Sequence, residues 1–593
     1  MAEPYSPLRD YAIIGDGRTA ALVSKDGSID WWCLPNLDSP SIFAAILDAD
    51  RGGRWTLRPP DVAQVQRRYT ADTNVLETIF TTSTGRVKVT DALTLGGHGL
   101  TPLRELARRV DGLDGRVGMR WRIEPRFGYG LAATRIDARR PFPTATSGND
   151  AVAACAWDAG RIDVSDAGFA GEFEIRAGQR ATIAVVAAQG EPLIFPPRRD
   201  VEDRIDATAA FWRGWAGRLA YRGPWRDAVV RSALALKLLV FAPSGAIAAA
   251  PTTSLPEAIG GERNWDYRFS WIRDSAFTLE SLMQLGCKGE ATSFFWWFMH
   301  ATRRTLPRLN VLYRLDGGTH VPERTLPLSG YRASRPVRIG NGAADQLQLD
   351  AYGELVDAAY QYVQHGGQLG RETGRDLARL ADFVCAQWRQ PDSGIWEVRA
   401  APRHHTQSKA MCWVALDRAK RLADAGQLRG RSDRWAREAA AIRAFIDERC
   451  WSDAKRSYAW YAGAHELDAS LLLLPIMRYA PPDSVRMRTT IDAIQRELRR
   501  GCLLRRYTGD DGIAGGEGAF VCCSFWLAEA LAIAGRRPEA EHLMDDLIAV
   551  GNDVGLYAEE MDPASGAFLG NFPQALVHLA LISAAMAMHG NGP

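Results

Sequence analysis

A multidomain β + α fold is what the sequence predicts: an N-terminal antiparallel β-sandwich, a helical linker and a C-terminal (α/α)6 barrel. Three observations predict it. Apolar residues alternate with polar ones from Val65 to about Gly190; the period changes near Asp200; and from Trp225 onward roughly twelve segments follow a 3.6-residue period. A chain of 593 residues is too long for one ordinary core, and the domain-size prior suggests about two to four folding units.

The first domain is placed at residues 1–200. Val117, Met119, Trp121 and Ile123 point alternately to one face, as do Phe173 with Ile175 and Ile183 with Val185. Short turn signals, Ser83-Thr84-Gly85, Asp111-Gly112 and Asp114-Gly115, separate the predicted strands and favour antiparallel sheets packed face to face. Residues 201–224 read as a linking helix carrying Ala210, Trp212, Trp215 and Leu219, which breaks at Gly223-Pro224.

The barrel is placed at residues 225–593. Its predicted helices include Trp225 to Val240, Ser270 to Gly286, Asp345 to His365, Asp468 to Arg478, Ala519 to Gly535 and Phe572 to His589, with no strand of comparable strength between them. An even number of antiparallel helices, joined alternately by short and long connections, closes into a double ring. If helices alternate up and down, odd-to-even links share one rim. Those links hold nearly all the glycine-, aromatic- and charge-rich segments: GGERNWDYRFSWIRD (Gly260 to Asp274), GYRASRPVRIGNG (Gly330 to Gly342), GIWEVR (Gly394 to Arg399), RRYTGDDGIAGGEG (Arg505 to Gly518) and GLYAEEMDP (Gly555 to Pro563). The other links, such as Gly286-Cys287, are short and plain, and the asymmetry marks a functional face.

Composition narrows the chemistry. Lys and Arg number 72 against 70 Asp and Glu, so no net charge draws the chain to nucleic acid. Apolar runs such as Leu234 to Ala242 fall well short of the ~20 residues that span a bilayer, and Met1 to Asp10 lacks the apolar core of a secretory signal. A cytoplasmic location is expected. The nine cysteines show no CxxC spacing and read as reduced, mostly buried thiols. The ten histidines form no HExxH, and His404-His405 has no second ligand cluster, so neither a metal nor another cofactor is expected. The oligomeric state stays open.

A rim lined by Trp265, Tyr267, Trp271, Trp396, Tyr507 and Tyr557 among Arg and Asp side chains suits a small carbohydrate: pyranose faces stack on aromatic rings, and hydroxyls take bidentate bonds. Cleaving a glycosidic bond needs a protonated carboxyl beside the leaving oxygen and an ionised one opposite. Glu397 and Glu559, each in a rim loop near an aromatic and a glycine, are the candidates. Burial against Trp396 would suit Glu397 to the acid role. Against this stands the ordinary fate of an acidic residue, a solvated surface position. Arg273-Asp274 can instead be a structural ion pair capping a helix start, Glu560 can exchange roles with Glu559, and Trp296-Trp297 reads as core packing rather than a sugar platform.

These motifs resemble glycoside hydrolase family 15, the glucoamylase, glucodextranase and bacterial trehalase family. YAIIGDGRTAALVSKDGSIDWWCLP (Tyr11 to Pro35) is similar to the trehalase-like N-terminal domain of its prokaryotic members, and DYRFSWIRDS, GYRASRPVRIGN, GIWEVR, EGAFVCCSFWLAEAL and GLYAEEMDPASGAFLGNFPQALVH follow the family's order. The resemblance implies the same sandwich, linker and barrel, with Glu397 as general acid and Glu559 as general base of an inverting, exo-acting α-glucoside hydrolase that releases β-glucose. It further implies sugar-binding roles for Asp266, Tyr267, Trp271, Arg273, Asp274, Arg335, Trp396, Arg506, Tyr507 and Glu560. Val398 stands where fungal members carry a second acid, and no starch-binding domain follows the barrel. α,α-Trehalose is the leading substrate, with maltooligosaccharides or isomaltose-type sugars next. The rivals of other classes are a disaccharide phosphorylase, with Arg332, Arg335 and Arg338 holding phosphate, and a catalytically silent sugar-binding protein.

Overall fold

The computed structural model describes residues 5–96, 103–138, 142–509, 511–512 and 515–589. Its first half is one hydrogen-bonded array of fifteen antiparallel strands, turned upon itself by the 20-residue strand Arg104–Ile123. The front of that strand pairs with Gly85–Leu93 and Arg180–Gln189, and its end with Trp55–Arg58 and Gly168–Arg176, so one strand belongs to two sheets. Its last seven residues alternate as expected, with Val117, Met119, Trp121 and Ile123 buried.

Ser83-Thr84 does turn a hairpin, since Thr82 pairs with Gly85. Asp111-Gly112 and Asp114-Gly115 do not turn; they lie within the long strand, where the register shifts and Gly115 takes φ +61°. A bulge uses the same residues as a turn, because both need backbone that bends where no Cβ interferes. The β region also starts earlier than the alternation did. Tyr11–Gly15, Ala20–Ser24 and Ser28–Cys33 are strands buried at every position, because the helical half covers their second face. The Trp31 indole donates to the Pro251 carbonyl at 2.8 Å, and Asn552 Nδ2 donates to the Tyr11 carbonyl at 2.8 Å.

Helix α1 (Arg198–Ala216) leads into twelve further helices: α2 (Arg226–Leu239), α3 (Ser275–Gln284), α4 (Lys288–Arg303), α5 (Asp350–Gln364), α6 (Arg371–Gln387), α7 (Thr406–Asp424), α8 (Ser432–Arg449), α9 (Leu473–Ile476), α10 (Val485–Leu498), α11 (Val521–Ile533), α12 (Arg537–Ala549) and α13 (Ala575–His589). Helices α3, α5, α7, α9, α11 and α13 form the inner ring, each packed on the next and α13 back on α3. Every inner helix therefore starts at the rim of the long links. The α11 and α13 sequences are apolar on all sides because they sit between the axis and the outer ring. One continuous apolar core runs through both halves.

Helix starts depart from expectation, and α5 begins at Asp350 rather than Asp345. Ser270–Trp271 forms a short strand with Leu312–Tyr313, and α3 begins only at Ser275. The segment Asp468 to Arg478 is a 3-10 turn, Ala469–Leu472, followed by the four residues of α9; Pro475 and the following Pro481-Pro482 leave no room for a longer helix.

Asp266 was expected to bind sugar. Instead it is fully buried, with both oxygens held by Arg268 at 2.8 and 2.7 Å and a further bond from the Gly340 amide at 3.0 Å. Arg268 also donates to the Ser39 carbonyl and the Tyr129 hydroxyl, both at 2.8 Å, and so pins the rim to the β half. Arg268→Ala strands a buried carboxylate, which costs about 3–5 kcal/mol. Urea unfolding should show that loss, and a loss under 1 kcal/mol would mean that the pair contributes no more than a surface bridge.

Candidate active site

Five of the six rim links build a cleft or its backing. The 240–274 link folds back on itself, Thr253 pairing with Asp266 and Pro256 with Asn264, and brings Glu257, Arg263, Trp265, Tyr267 and Arg273 to the wall. The link after α4 adds Asn341, the link after α6 adds Trp396, Glu397 and Arg399, and the link after α10 adds Arg506, Asp511 and Phe520. Together they line a cleft open to solvent, with about 550 Å³ free of protein atoms. The link after α12 stands behind this wall and carries Glu559. The sixth link, after α8, had no place in the sequence reading; it supplies Asp468, which accepts the Trp396 indole N–H at 2.9 Å and fixes that ring.

Glu397 sits on backbone with φ +58°, a region that costs a non-glycine residue about 1–3 kcal/mol and is held only by its surroundings. Those surroundings are visible. Gln346 Nε2 donates to its carbonyl at 3.3 Å, the Trp271 indole donates to its Oε1 at 2.6 Å, and Arg273 Nη1 approaches the same oxygen at 3.4 Å while binding the Ile395 carbonyl at 2.7 Å. The Glu397 side chain keeps 18% exposure, through the cleft. Burial raises its pKa above the usual carboxylate value, against the opposing pull of Arg273 and the Trp271 hydrogen bond.

Glu559 is 1% exposed. Its backbone pairs with Asn571 and Val521, and its Oε2 accepts the Asn571 amide at 3.2 Å. Oε1 takes no hydrogen bond from the described protein atoms. Burial first, then the negative charge of Glu257, push its pKa up to about 8, while the Tyr267 hydroxyl and Arg506 hold it down. Tyr267 lines the cleft and feels Glu559, Glu257 and Glu397 together, so the two proposed carboxyls flank one phenol. Gly570 has φ +72°, and a Cβ there would stand 2.5 Å from Glu559 Oε2 and 2.7 Å from its Cβ. Gly570→Ala should displace the carboxylate and lower kcat about 100-fold, the usual penalty for about 1 Å of misplacement; unchanged kcat would show that Glu559 tolerates the shift.

Sequence reasoning missed Glu257, which lies three residues before the GGERNWDY segment. It is 2% exposed, accepts the Trp265 indole N–H at 3.1 Å and Arg506 Nη2 at 2.8 Å, and lines the cleft. Glu257, Glu517 and Glu560 each bring an oxygen within 4.8 Å of the others, a spacing a cation can bridge. Arg506 already fills that role, with Glu560 at 3.3 Å and Glu517 in contact. Arg263, also missed, is fixed by Asp511 through bonds of 2.6 and 2.7 Å.

Of the expected residues, Glu397, Tyr267, Arg273, Trp396 and Arg506 line the cleft. Trp271 acts through Glu397. Asp274 takes the Arg273 Nε–H at 3.1 Å and stands beside the cleft rather than on its wall. Arg335 is corrected: it is exposed and donates to the Ser329 carbonyl at 3.2 Å, while Arg338 and Arg399 lie over the Trp265 ring at 4.5 and 4.3 Å. Tyr507 stacks on Trp460 at 4.7 Å and donates to Asp511 at 2.6 Å, one layer outside the wall. Glu560 cannot exchange roles with Glu559; it is fully buried and faces the Gly518 amide (2.7 Å) and Arg506. Tyr557 leaves the rim set, because its ring packs on Phe525 and His578 in the core. Adjacent side chains therefore part company at both places: Glu560 meets Arg506 and the Gly518 amide while Glu559 meets Asn571, and Arg506 enters the wall while Tyr507 stacks on Trp460.

The chain is similar to known proteins over nearly its whole length. The profile of glycosyl hydrolases family 15 matches residues 223–586, and that of the trehalase-like N-terminal domain matches residues 2–155. The chain is similar to the trehalase of Thermoplasma volcanium, 36% identical over 601 residues that cover 98% of this chain and 94% of the relative. It is 38% identical to the trehalase of Mycobacterium tuberculosis over 620 residues, 98% of this chain and 90% of the relative. An isomaltose glucohydrolase of Kribbella flavida is 27% identical over 49% of this chain and 71% of its own length. A bacterial glucoamylase solved with acarbose superposes with a TM-score of 0.72 at 12% identity, over 99% of this chain and 94% of that one, which places the whole chain in the same two-part fold.

Proposed function

We propose that this chain, which belongs to glycosyl hydrolases family 15, hydrolyses α,α-trehalose with inversion at the attacked carbon. It is a glycoside hydrolase. The similarity to trehalases over nearly the full length of both chains carries the choice of substrate, because the isomaltose-cleaving relative matches only half of this chain. An α-glucan glucohydrolase is the second reading, favoured by that relative.

In the proposed mechanism Glu397 gives its proton to the bridging oxygen, and Glu559 takes a proton from a water that attacks C1 on the opposite face. The unpartnered Glu559 Oε1 offers the acceptor lone pair for that water. Arg273, fixed by Ile395 and Asp274, grips the glucosyl unit, and Arg399 on the cleft wall offers donors to the leaving glucose. Inversion needs the two carboxyls about 6.5–9.5 Å apart. Nuclear magnetic resonance of the first turnovers tests the reading: trehalose should give equal α- and β-glucose, whereas α-glucose alone would mean retention. Phosphate-dependent glucose 1-phosphate would establish the phosphorylase instead. Nine unpaired thiols, eight of them buried, support a reducing compartment and a cytoplasmic protein. No helix among the described residues is long and apolar enough to cross a membrane.

One proton shared by the pair is the working state. Rate should fall at low pH, when both are protonated, and at high pH, when both are ionised. Burial raises both, so the bell lies above the ordinary carboxylate range, with its alkaline limb near the Glu559 value of about 8. Glu257→Gln removes a charge that disfavours ionised Glu559 and should move that limb to lower pH. A limb that stays or rises in a kcat/KM profile would sink the assignment.

A further inference from the structure

Glu397 holds a left-handed backbone, and Gln346, Trp271 and Arg273 fix only its carbonyl and its carboxyl. Other bonds close the turn that presents them. The Glu397 amide donates to the Gly394 carbonyl at 3.2 Å, and the Val398 amide donates to the Ser393 carbonyl at 3.1 Å. Gly394 is itself left-handed, at φ +68°, so the chain reverses twice within four residues. The Ser393–Gly394 peptide therefore sets the turn: its carbonyl holds Val398, and its N–H points the opposite way, as in any trans peptide.

That N–H meets Asp392, which is 1% exposed. Pro391-Asp392-Ser393-Gly394 is a turn of the kind in which an aspartate accepts the amide two residues on. Asp392 Oδ2 accepts the Gly394 amide at 3.4 Å and, more closely, the Leu349 amide at 3.0 Å, just before α5. The same neighbour segment takes the Ser393 amide on the Leu347 carbonyl at 3.0 Å and holds the Glu397 carbonyl through the Gln346 side chain. Among these ties the Asp392 carboxylate is the one made by a side chain of the acid's own loop, so one substitution removes it. The loop is shut at its base by the Asp392 and Arg403 backbones, which exchange two bonds of 2.9 Å, and fully buried Lys409 donates to the Gln390 carbonyl just before it at 2.6 Å. Asp392 does not line the cleft, whereas Trp396 and Arg399 of the same loop do, and Trp396 is held separately by Asp468.

We propose that Asp392 is a positioning residue for the general acid, holding the Ser393–Gly394 peptide and the Leu349 amide so that the Glu397 carboxyl faces the glycosidic oxygen. This role rests on Glu397 being the acid. The test compares full-length Asp392→Ala with Glu397→Gln on trehalose and on α-glucosyl fluoride. Without the carboxylate the loop relaxes, and Asp392→Ala should lower kcat on trehalose about 100-fold, as about 1 Å of misplacement does, while KM stays within about threefold. α-Glucosyl fluoride, whose leaving group needs no proton, should keep kcat within about threefold. Equal losses on both substrates would overturn the proposal, since a general weakening of the fold slows both. Asp392→Asn keeps an oxygen for both amides and should return trehalose kcat to within about fivefold of wild type; an Asn variant as slow as the Ala variant would overturn it as well. If Asp392→Ala does not fold, Asp392→Glu replaces it: one extra methylene carries the carboxylate past the two amides, and the same division between substrates is expected, with equal losses again overturning the proposal. Should Glu397→Gln itself slow both substrates equally, the acid assignment falls; should Glu397→Gln divide them and the Asp392 variant not, only the role of Asp392 falls.

Discussion

Glu559→Gln should lower kcat on trehalose about 1000-fold while leaving sugar affinity within about threefold, since general-base removal typically costs 10²–10⁴ in rate. Gln matches Glu in shape, and its carbonyl can still accept the Asn571 amide that now binds Oε2 at 3.2 Å. The wall of the cleft, Arg273, Trp396 and Arg506 included, is untouched. What is lost is an acceptor able to take a proton from water. Glu559→Ala with azide provides the complementary result: a small anion that needs no deprotonation should restore turnover and give the β-glucosyl azide, because it attacks from the face opposite the leaving group. Binding lost in parallel with kcat would make Glu559 a structural residue, and near-normal turnover would remove it from the mechanism.

Glu397→Gln should divide substrates by leaving group. Trehalose cleavage should fall about 1000-fold, because a glucose leaving oxygen needs the proton. α-Glucosyl fluoride, whose fluoride leaves with little help, should keep within about tenfold of wild-type kcat. The amide can accept the Trp271 indole as the carboxyl does at 2.6 Å, so the loop with φ +58° at residue 397 stays in place and the effect reads proton donation rather than folding. Equal losses on both substrates would mean that Glu397 holds the site together and donates nothing. Glu257→Gln supplies the control for proximity: it should move the pH limb with a far smaller loss of rate, because Glu257 acts on Glu559 through charge.

Much of this was readable along the chain. The change of period near Asp200, the helical segments after Trp225 and the uneven lengths of their links led to the sandwich, the barrel and the correct rim. Five of the six long links were identified by composition. The link after α8 was passed over, because Asp468 stands in it without glycine or arginine neighbours to mark it; its part is to hold the Trp396 indole from across the rim. Glu257 was passed over for a related reason. Nothing in Ser254-Leu255-Pro256-Glu257 distinguishes it from a loop acid, and its influence comes from Arg506, 249 residues away.

Periodicity and loop composition, which are local, were decided by the sequence alone: residues i, i+2 or i+4 share a face because backbone geometry repeats, and rim loops are polar and glycine-rich because they bend and bind. Whether a rim side chain meets the cleft or a buried partner was decided only by the assembled fold. Asp266 went to Arg268, Arg335 to solvent, Tyr507 to Trp460, and Glu560 to Arg506 and the Gly518 amide. Each destination depends on which link from elsewhere in the ring arrives alongside, and an electrostatic or hydrogen-bonding preference acts on distance in space, to which distance along the chain is no guide.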